Sequence, residues 1–264
     1  MDERILKELE LLPVARLYGL ADARNSPAPP AEVPAAAREP SARKTEPARR
    51  PIAGPASESG AAIARTAPGP GASGGPESSM GWEELRAAVS ACRKCGLCEQ
   101  RQQAVFGVGN ESAPWLFVGE GPGADEDRQG EPFVGQAGKL LDNMLAAIGL
   151  ARGREVYIAN VVKCRPPGNR TPSAEEAAAC APYLDRQIEL IRPRLIVALG
   201  KTAAVRLLAT EASLASLRGK VHAYRGTPLV ITYHPAYLLR NLPDKAKAWE
   251  DLLFARRTFA AIPG

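Results

Sequence analysis

The chain has 264 residues, a net charge of +5 and only five cysteines, too little sulfur for a disulfide-built secreted scaffold. No stretch approaches the roughly 20 apolar residues of a membrane span. The start, MDERILKELELL, carries acids where a signal peptide would have a basic flank and an apolar run, so a cytoplasmic protein with no membrane association is expected.

Residues 1–20 allow a short helix with Ile5, Leu9 and Leu12 on one face, a candidate docking peptide for a protein partner. Residues 21–80 hold 11 of the 24 prolines and almost no large apolar side chains. Such a segment cannot bury enough surface to offset its ordering entropy and reads as a disordered linker. The whole net positive charge falls in residues 81–264, the expected folded domain.

From Trp82 onward strands and helices alternate. WLFVGE (115–120), VYIANVVKC (156–164), LIVALG (195–200) and PLVITYHP (228–235) read as buried strands. Helical periodicity runs through 137–150, 173–191, 201–209 and 245–262. Ser173 with Glu176 has capping-box spacing, and Pro182 is expected to kink the helix that follows. The alternation predicts a three-layer α/β/α fold around a central four-stranded, mostly parallel sheet. Right-handed crossovers bring the strand C-termini to one edge, where ligands bind. GEGPG, Asn160, Leu199–Gly200 and His234–Pro235 should converge there, with Asn160 lying mid-run rather than at its strand's end.

GEGPGA (119–124) fits a dinucleotide-binding turn, but Asp125, Glu126 and Asp127 crowd the helix start where a pyrophosphate would sit. Pro122 also removes a backbone N–H. A glycine turn loaded with carboxylates suits a neutral ligand and a positioned water. Phe133, a lone aromatic between glycine-rich flanks, offers a stacking surface for a planar ligand. Cys92, Cys95 and Cys98 fall at C-x-x-C-x-x-C spacing, with Cys164 and Cys180 far downstream. A disulfide, a zinc site and an iron–sulfur site all remain open on spacing alone.

Taken in order, GEGPGADED, EPFVGQAGKLLD, YIANVVKCRPPGNRTP, LIVALG and HPAYLLR resemble the family 4, iron–sulfur uracil-DNA glycosylases. The resemblance implies a monofunctional N-glycosyl hydrolase acting on uracil in double- or single-stranded DNA, as a monomer. It implies a [4Fe–4S] cluster on Cys92, Cys95, Cys164 and Cys180, with zinc the alternative for four thiolates and Cys98 a bystander. It further implies that Phe133 stacks on the flipped base, Asn160 reads its edge, His234 donates toward O2, and backbone around Gly121 lines the floor. Glu120 is assigned to position water, and Glu126 to crowd C5. Leu238 or Leu239 is the candidate DNA wedge and Arg240 a phosphate contact, with Lys163, Arg165 and Arg170 as further phosphate candidates. His222 matches no motif and is expected at the surface. Two other functions are weighed: a non-catalytic DNA-binding module joined to polymerase machinery, and a relative that traps abasic sites covalently. The second carries an Arg/His-rich insert, whereas PPGNRTPSAEE contains no histidine.

Overall fold

The computed structural model describes residues 75–263. The expected docking helix at 1–20 and the linker through residue 74 lie outside the described residues. In chain order the helices are α1 (Trp82–Ala91), α2 (Ala124–Gln129), α3 (Gln136–Ala147), α4 (Ala174–Ile191), α5 (Lys201–Leu208), α6 (Leu214–Leu217), α7 (Pro235–Leu238) and α8 (Asp244–Ala261). The strands are β1 (Val108–Gly109), β2 (Trp115–Gly119), β3 (Val156–Asn160), β4 (Leu195–Leu199), β5 (His222–Tyr224) and β6 (Thr227–Thr232).

The sheet order is β1-β3-β2-β4-β6-β5. The four expected strands form its parallel centre, and every residue of β2, β3 and β4 is buried. Their near-continuous apolar runs follow from that two-sided burial. The count is six rather than four because each edge carries a short antiparallel strand. β1 is two residues long, below any periodicity signal. β5 joins β6 through Arg225 and Gly226 at φ 48° and 87°, a two-residue hairpin turn with both central residues left-handed.

Alternation along the strands splits the core. Leu116, Val118, Tyr157, Ala159, Ile196 and Ala198 pack under α1, α4 and α5. Trp115, Phe117, Ile158, Val197 and Val230 pack under α3 and α8 on the opposite face. α4 begins with the anticipated capping box: Glu176 N–H donates to Ser173 Oγ at 3.2 Å, and Ser173 N–H to the Glu176 carboxylate at 2.8 Å. It then runs unbroken through Pro182. The packed structure starts earlier than composition indicated: Pro76–Ser79 form a 3-10 turn with Glu77 buried, and Arg186 Nε donates to Met80 O at 2.7 Å. Among the described residues no helix is long and apolar enough to cross a membrane.

Candidate active site

β2 is followed by a segment that packs on one face of the sheet, and β4 by α5 on the other, so a crevice opens between their C-terminal ends. Glu120 stands on one side and Thr202 on the other, and the Thr202 hydroxyl donates to the Glu120 carboxylate. With Gly200 and His234 these residues edge a cleft of about 820 Å³ that continues between α4 and α5.

Parallel pairing sets Gly119 opposite Asn160, which is the last residue of β3 rather than mid-strand as anticipated. Asn160 shares the face of Val156 and Ile158, the face on which Phe133 packs. A side chain at Gly119 would place its Cβ 2.4 Å from Asn160 Oδ1 and 2.6 Å from Phe133 Cζ, so only glycine lets amide and ring meet here. Gly121 follows, against Val162 and Pro166.

Phe133 adopts φ 57°, an unusual left-handed conformation for an aromatic residue. Its loop is held from both sides. Arg152 donates to Pro132 O and Phe133 O, each at 2.8 Å. Glu126 accepts from Val134 N–H at 2.9 Å, Gly135 N–H at 3.0 Å and Gly123 N–H at 3.0 Å. Both Glu126 oxygens are thus committed to backbone, and the residue holds the Phe133 loop instead of presenting a free carboxylate to a ligand's edge. Nothing in the sequence marked Arg152, which pairs with the Asp142 carboxylate at 3.0 Å and reaches carbonyls 19 and 20 residues away.

The His234 ring stacks beside Phe133, with centroids 5.4 Å apart and planes 29° from parallel. Its Nδ1 accepts from Ala236 N–H at 3.2 Å, which leaves the proton on Nε2. Nε2 is sealed from solvent and has no partner, and the same holds for Asn160 Oδ1. One buried donor and one buried acceptor thus stand unmet in the neighbourhood of a single aromatic ring. Burial, reinforced by the Arg240 charge and opposed by Glu126, lowers the His234 pKa from 6.5 to about 4. The imidazole is therefore neutral at pH 7.

All five cysteines line one small cavity, with Lys94, Arg101, Lys163 and Tyr183. Cys92 caps α1, Cys95 precedes a 3-10 turn at Gly96–Glu99, Cys164 follows β3, and Cys180 lies in α4. Arg101 Nη1 donates to Cys164 Sγ at 2.8 Å, and Lys163 N–H to Cys180 Sγ at 3.3 Å. Burial raises the Cys95 and Cys164 thiols and pushes Cys180 up to about 12, so a metal must displace protons to bind. Among the described residues no three His, Cys, Asp or Glu side chains are placed to hold a single ion.

The remaining candidates divide. Leu238 is 1% exposed and packs in the core, so it cannot serve as a wedge, whereas Leu239 is 41% exposed. Leu242, at 50%, is a second exposed apolar side chain close by that motif reading passed over. Arg240 is exposed. Lys163, expected at phosphate, is 1% exposed and faces the interior. Arg170 is paired bidentately with Glu176, at 2.8 and 2.7 Å, and Arg165 with Asn169 at 2.7 Å. His222 is half-buried in β5, with Nε2 2.8 Å from Leu217 O.

At the C-terminal edge of the parallel sheet the structure thus brings together an aromatic ring, a neutral imidazole and a buried amide, beside a cleft edged by Glu120 and His234. The profile of the uracil DNA glycosylase superfamily matches residues 106–253, more than half of the chain, and the chain belongs to that superfamily. Among relatives, the type-4 uracil-DNA glycosylase of Archaeoglobus fulgidus is 48% identical over 165 residues, covering 60% of this chain and 82% of the relative. That of Thermotoga maritima is 49% identical over 171 residues, 62% of this chain and 88% of the relative. That of Sulfurisphaera tokodaii is 44% identical over 190 residues, 69% and 86% respectively.

Two outcomes follow from the geometry. Leu238→Ala should cost about 2–5 kcal/mol in urea denaturation, while Leu239→Ala should stay within about 0.5 kcal/mol of the parent. NMR titration of His234 should show no protonation between pH 8 and 5.5. With its folded pKa depressed, the histidine's contribution to stability is present above about pH 6.5 and is lost as pH falls toward 4.

Proposed function

We propose that the chain hydrolyses the N-glycosidic bond of a deoxyuridine flipped out of DNA, releasing uracil and leaving an abasic site. The observation that carries this reading is the pair of unmet buried groups, Asn160 Oδ1 and His234 Nε2–H, gathered near the Phe133 ring. Uracil offers N3–H to the first, O2 to the second and a flat face to the third.

Extruding the base costs a few kcal/mol of stacking and pairing. Phe133 recovers part of that by stacking, and Asn160 supplies the recognition. Its Oδ1 accepts from N3–H, and its Nδ2 donates to O4. Cytosine presents an acceptor at N3 and a donor at C4, so each mismatch leaves an unmade bond worth about 1–3 kcal/mol. As the glycosidic bond lengthens, negative charge gathers on the departing ring, and the Nε2–H of His234 is already positioned toward O2. Glu120, held by the Thr202 hydroxyl, orients the water that adds to C1′ of the oxocarbenium-like sugar. Glu126 acts through Phe133 and not on the base. Leu239 enters the gap left in the stack, and Arg240 meets a phosphate.

Cys92, Cys95, Cys164 and Cys180 are assigned as ligands of a [4Fe–4S] cluster. The four thiols line one cavity together with a buried ammonium, which suits an anionic thiolate-bound group, and the family resemblance favours iron over zinc. When bound, the cluster supplies covalent ties between α1, the loop after β3 and α4. No bond-breaking step passes through it. The N-terminal residues 1–20 remain the candidate contact for a protein partner.

Asn160→Ala should slow uracil release from duplex DNA by roughly 30- to 1,000-fold, from two lost hydrogen bonds at about 1–2 kcal/mol each. Alkaline cleavage of the abasic product reads this out, with circular dichroism as the folding control. Full activity in that variant would displace the pocket from Asn160. The purified protein should show broad visible absorbance that Cys164→Ala abolishes and Cys98→Ala retains. A colourless protein carrying one equivalent of zinc would overturn the cluster assignment.

A further inference from the structure

Lys163 is 1% exposed, and its side chain is used entirely inside the protein. Its Nζ donates to Asn160 O at 3.0 Å and to Gln187 Oε1 at 2.6 Å. Gln187 is itself fully buried and donates from Nε2 to Phe106 O at 2.9 Å. Both acceptors of the ammonium are neutral, and no carboxylate of the described residues forms an ion pair with it. A charge so deep, bonded only to neutral oxygens, costs several kcal/mol unless an anion lies near. The anion source at hand is sulfur. Lys163 lines the cysteine cavity, and its own N–H bonds Cys180 Sγ at 3.3 Å.

The Asn160 carbonyl explains what the ammonium does. Gly119 O takes its bond from Val161 N–H at 2.9 Å, so the ladder to β2 passes Asn160 by. Asn160 O therefore faces the other side of β3, where β1 pairs only with Tyr157 and Ile158. With no strand to bond it, this carbonyl depends on Lys163.

We propose that Lys163 is a positioning residue for base recognition: its ammonium, held between the Gln187 amide and the thiolates of the filled cysteine cavity, fixes the Asn160 peptide and so the plane of the amide that reads the base. The proposal rests on the reading of Asn160 given above. It makes the sulfur site a support for the pocket three residues away in sequence, with no contact between cofactor and substrate.

Two variants test this in the iron-loaded protein. Lys163→Met removes the ammonium at similar length. Gln187→Met removes one of its acceptors while keeping every thiol and the charge. For each, iron content, visible absorbance, affinity for an abasic-product duplex and the single-turnover rate on a uracil duplex are measured. Lys163→Met is expected to lose about 10- to 100-fold in single-turnover rate, and Gln187→Met about 3- to 10-fold. Product-duplex affinity and iron content should stay within about twofold of wild type. That split between rate and binding is what a merely structural lysine would not give. A wild-type rate in Gln187→Met overturns the proposal whatever Lys163→Met does, and so does a loss of rate that tracks lost iron in both variants. Wild-type protein that releases no uracil overturns the function itself, a result separable from either.

Discussion

The pairing of β2 with β3 in parallel register is the constraint on which the site depends. It sets Gly119 beside Asn160 and continues past both strands, with Val161 N–H bonded to Gly119 O at 2.9 Å and Val162 N–H to Glu120 O at 3.1 Å. The carboxylate turn and the cysteine-bearing loop therefore leave the sheet side by side. Because side chains alternate with period two, a one-residue slip would turn Asn160 to the face under α4, away from Phe133. The apolar runs of β2 and β3 are buried on both faces, which makes such a slip prohibitive. The rigidity of the recognition amide is thus a property of the core.

Onto this fixed edge the chain brings two elements from the far side. The Phe133 loop would not hold its left-handed residue unaided; Glu126 and Arg152 fasten it through four backbone groups. His234 does two jobs. As the cap of α7 it accepts Ala236 N–H on Nδ1, and its carbonyl takes Tyr237 N–H at 2.9 Å and Leu238 N–H at 3.2 Å. The same bond that starts the helix selects the tautomer whose Nε2–H faces the pocket. That helix then buries Leu238 and leaves Leu239 and Arg240 outside. The imidazole and the exposed Leu239–Arg240 tip are therefore parts of one rigid unit.

Much of this was legible in the sequence. The four central strands, the capping box at Ser173 and the convergence of GEGPG, Asn160 and His234 follow from periodicity and from the chirality of crossovers. The edge strands did not, since two or three residues carry no period. Leu238 and Leu239 look alike in a motif, and only the phase of α7 against the core separates them. Lys163 sits among Arg165 and Arg170 and reads as one more phosphate cation. What distinguishes it is Gln187, 24 residues on, whose amide reaches it from inside α4. The resemblance assigns Glu126 to crowd C5, but its oxygens are found on the Val134, Gly135 and Gly123 N–H groups. Hydrogen bonds to side chains on other elements leave no local mark, which is why Lys163 was misplaced.

The neutral state of His234 bears on how the leaving group is stabilised. A cationic imidazole would attract the developing anion more strongly, but burial is the leading cause of its lowered pKa and Arg240 the second. With its pKa at about 4 in the free chain, the imidazole is uncharged at pH 7 before any ligand arrives. Its contribution then rests on direction: a donor fixed by the α7 cap, aimed in advance at an oxygen that becomes a better acceptor as the bond breaks, at no reorganisation cost.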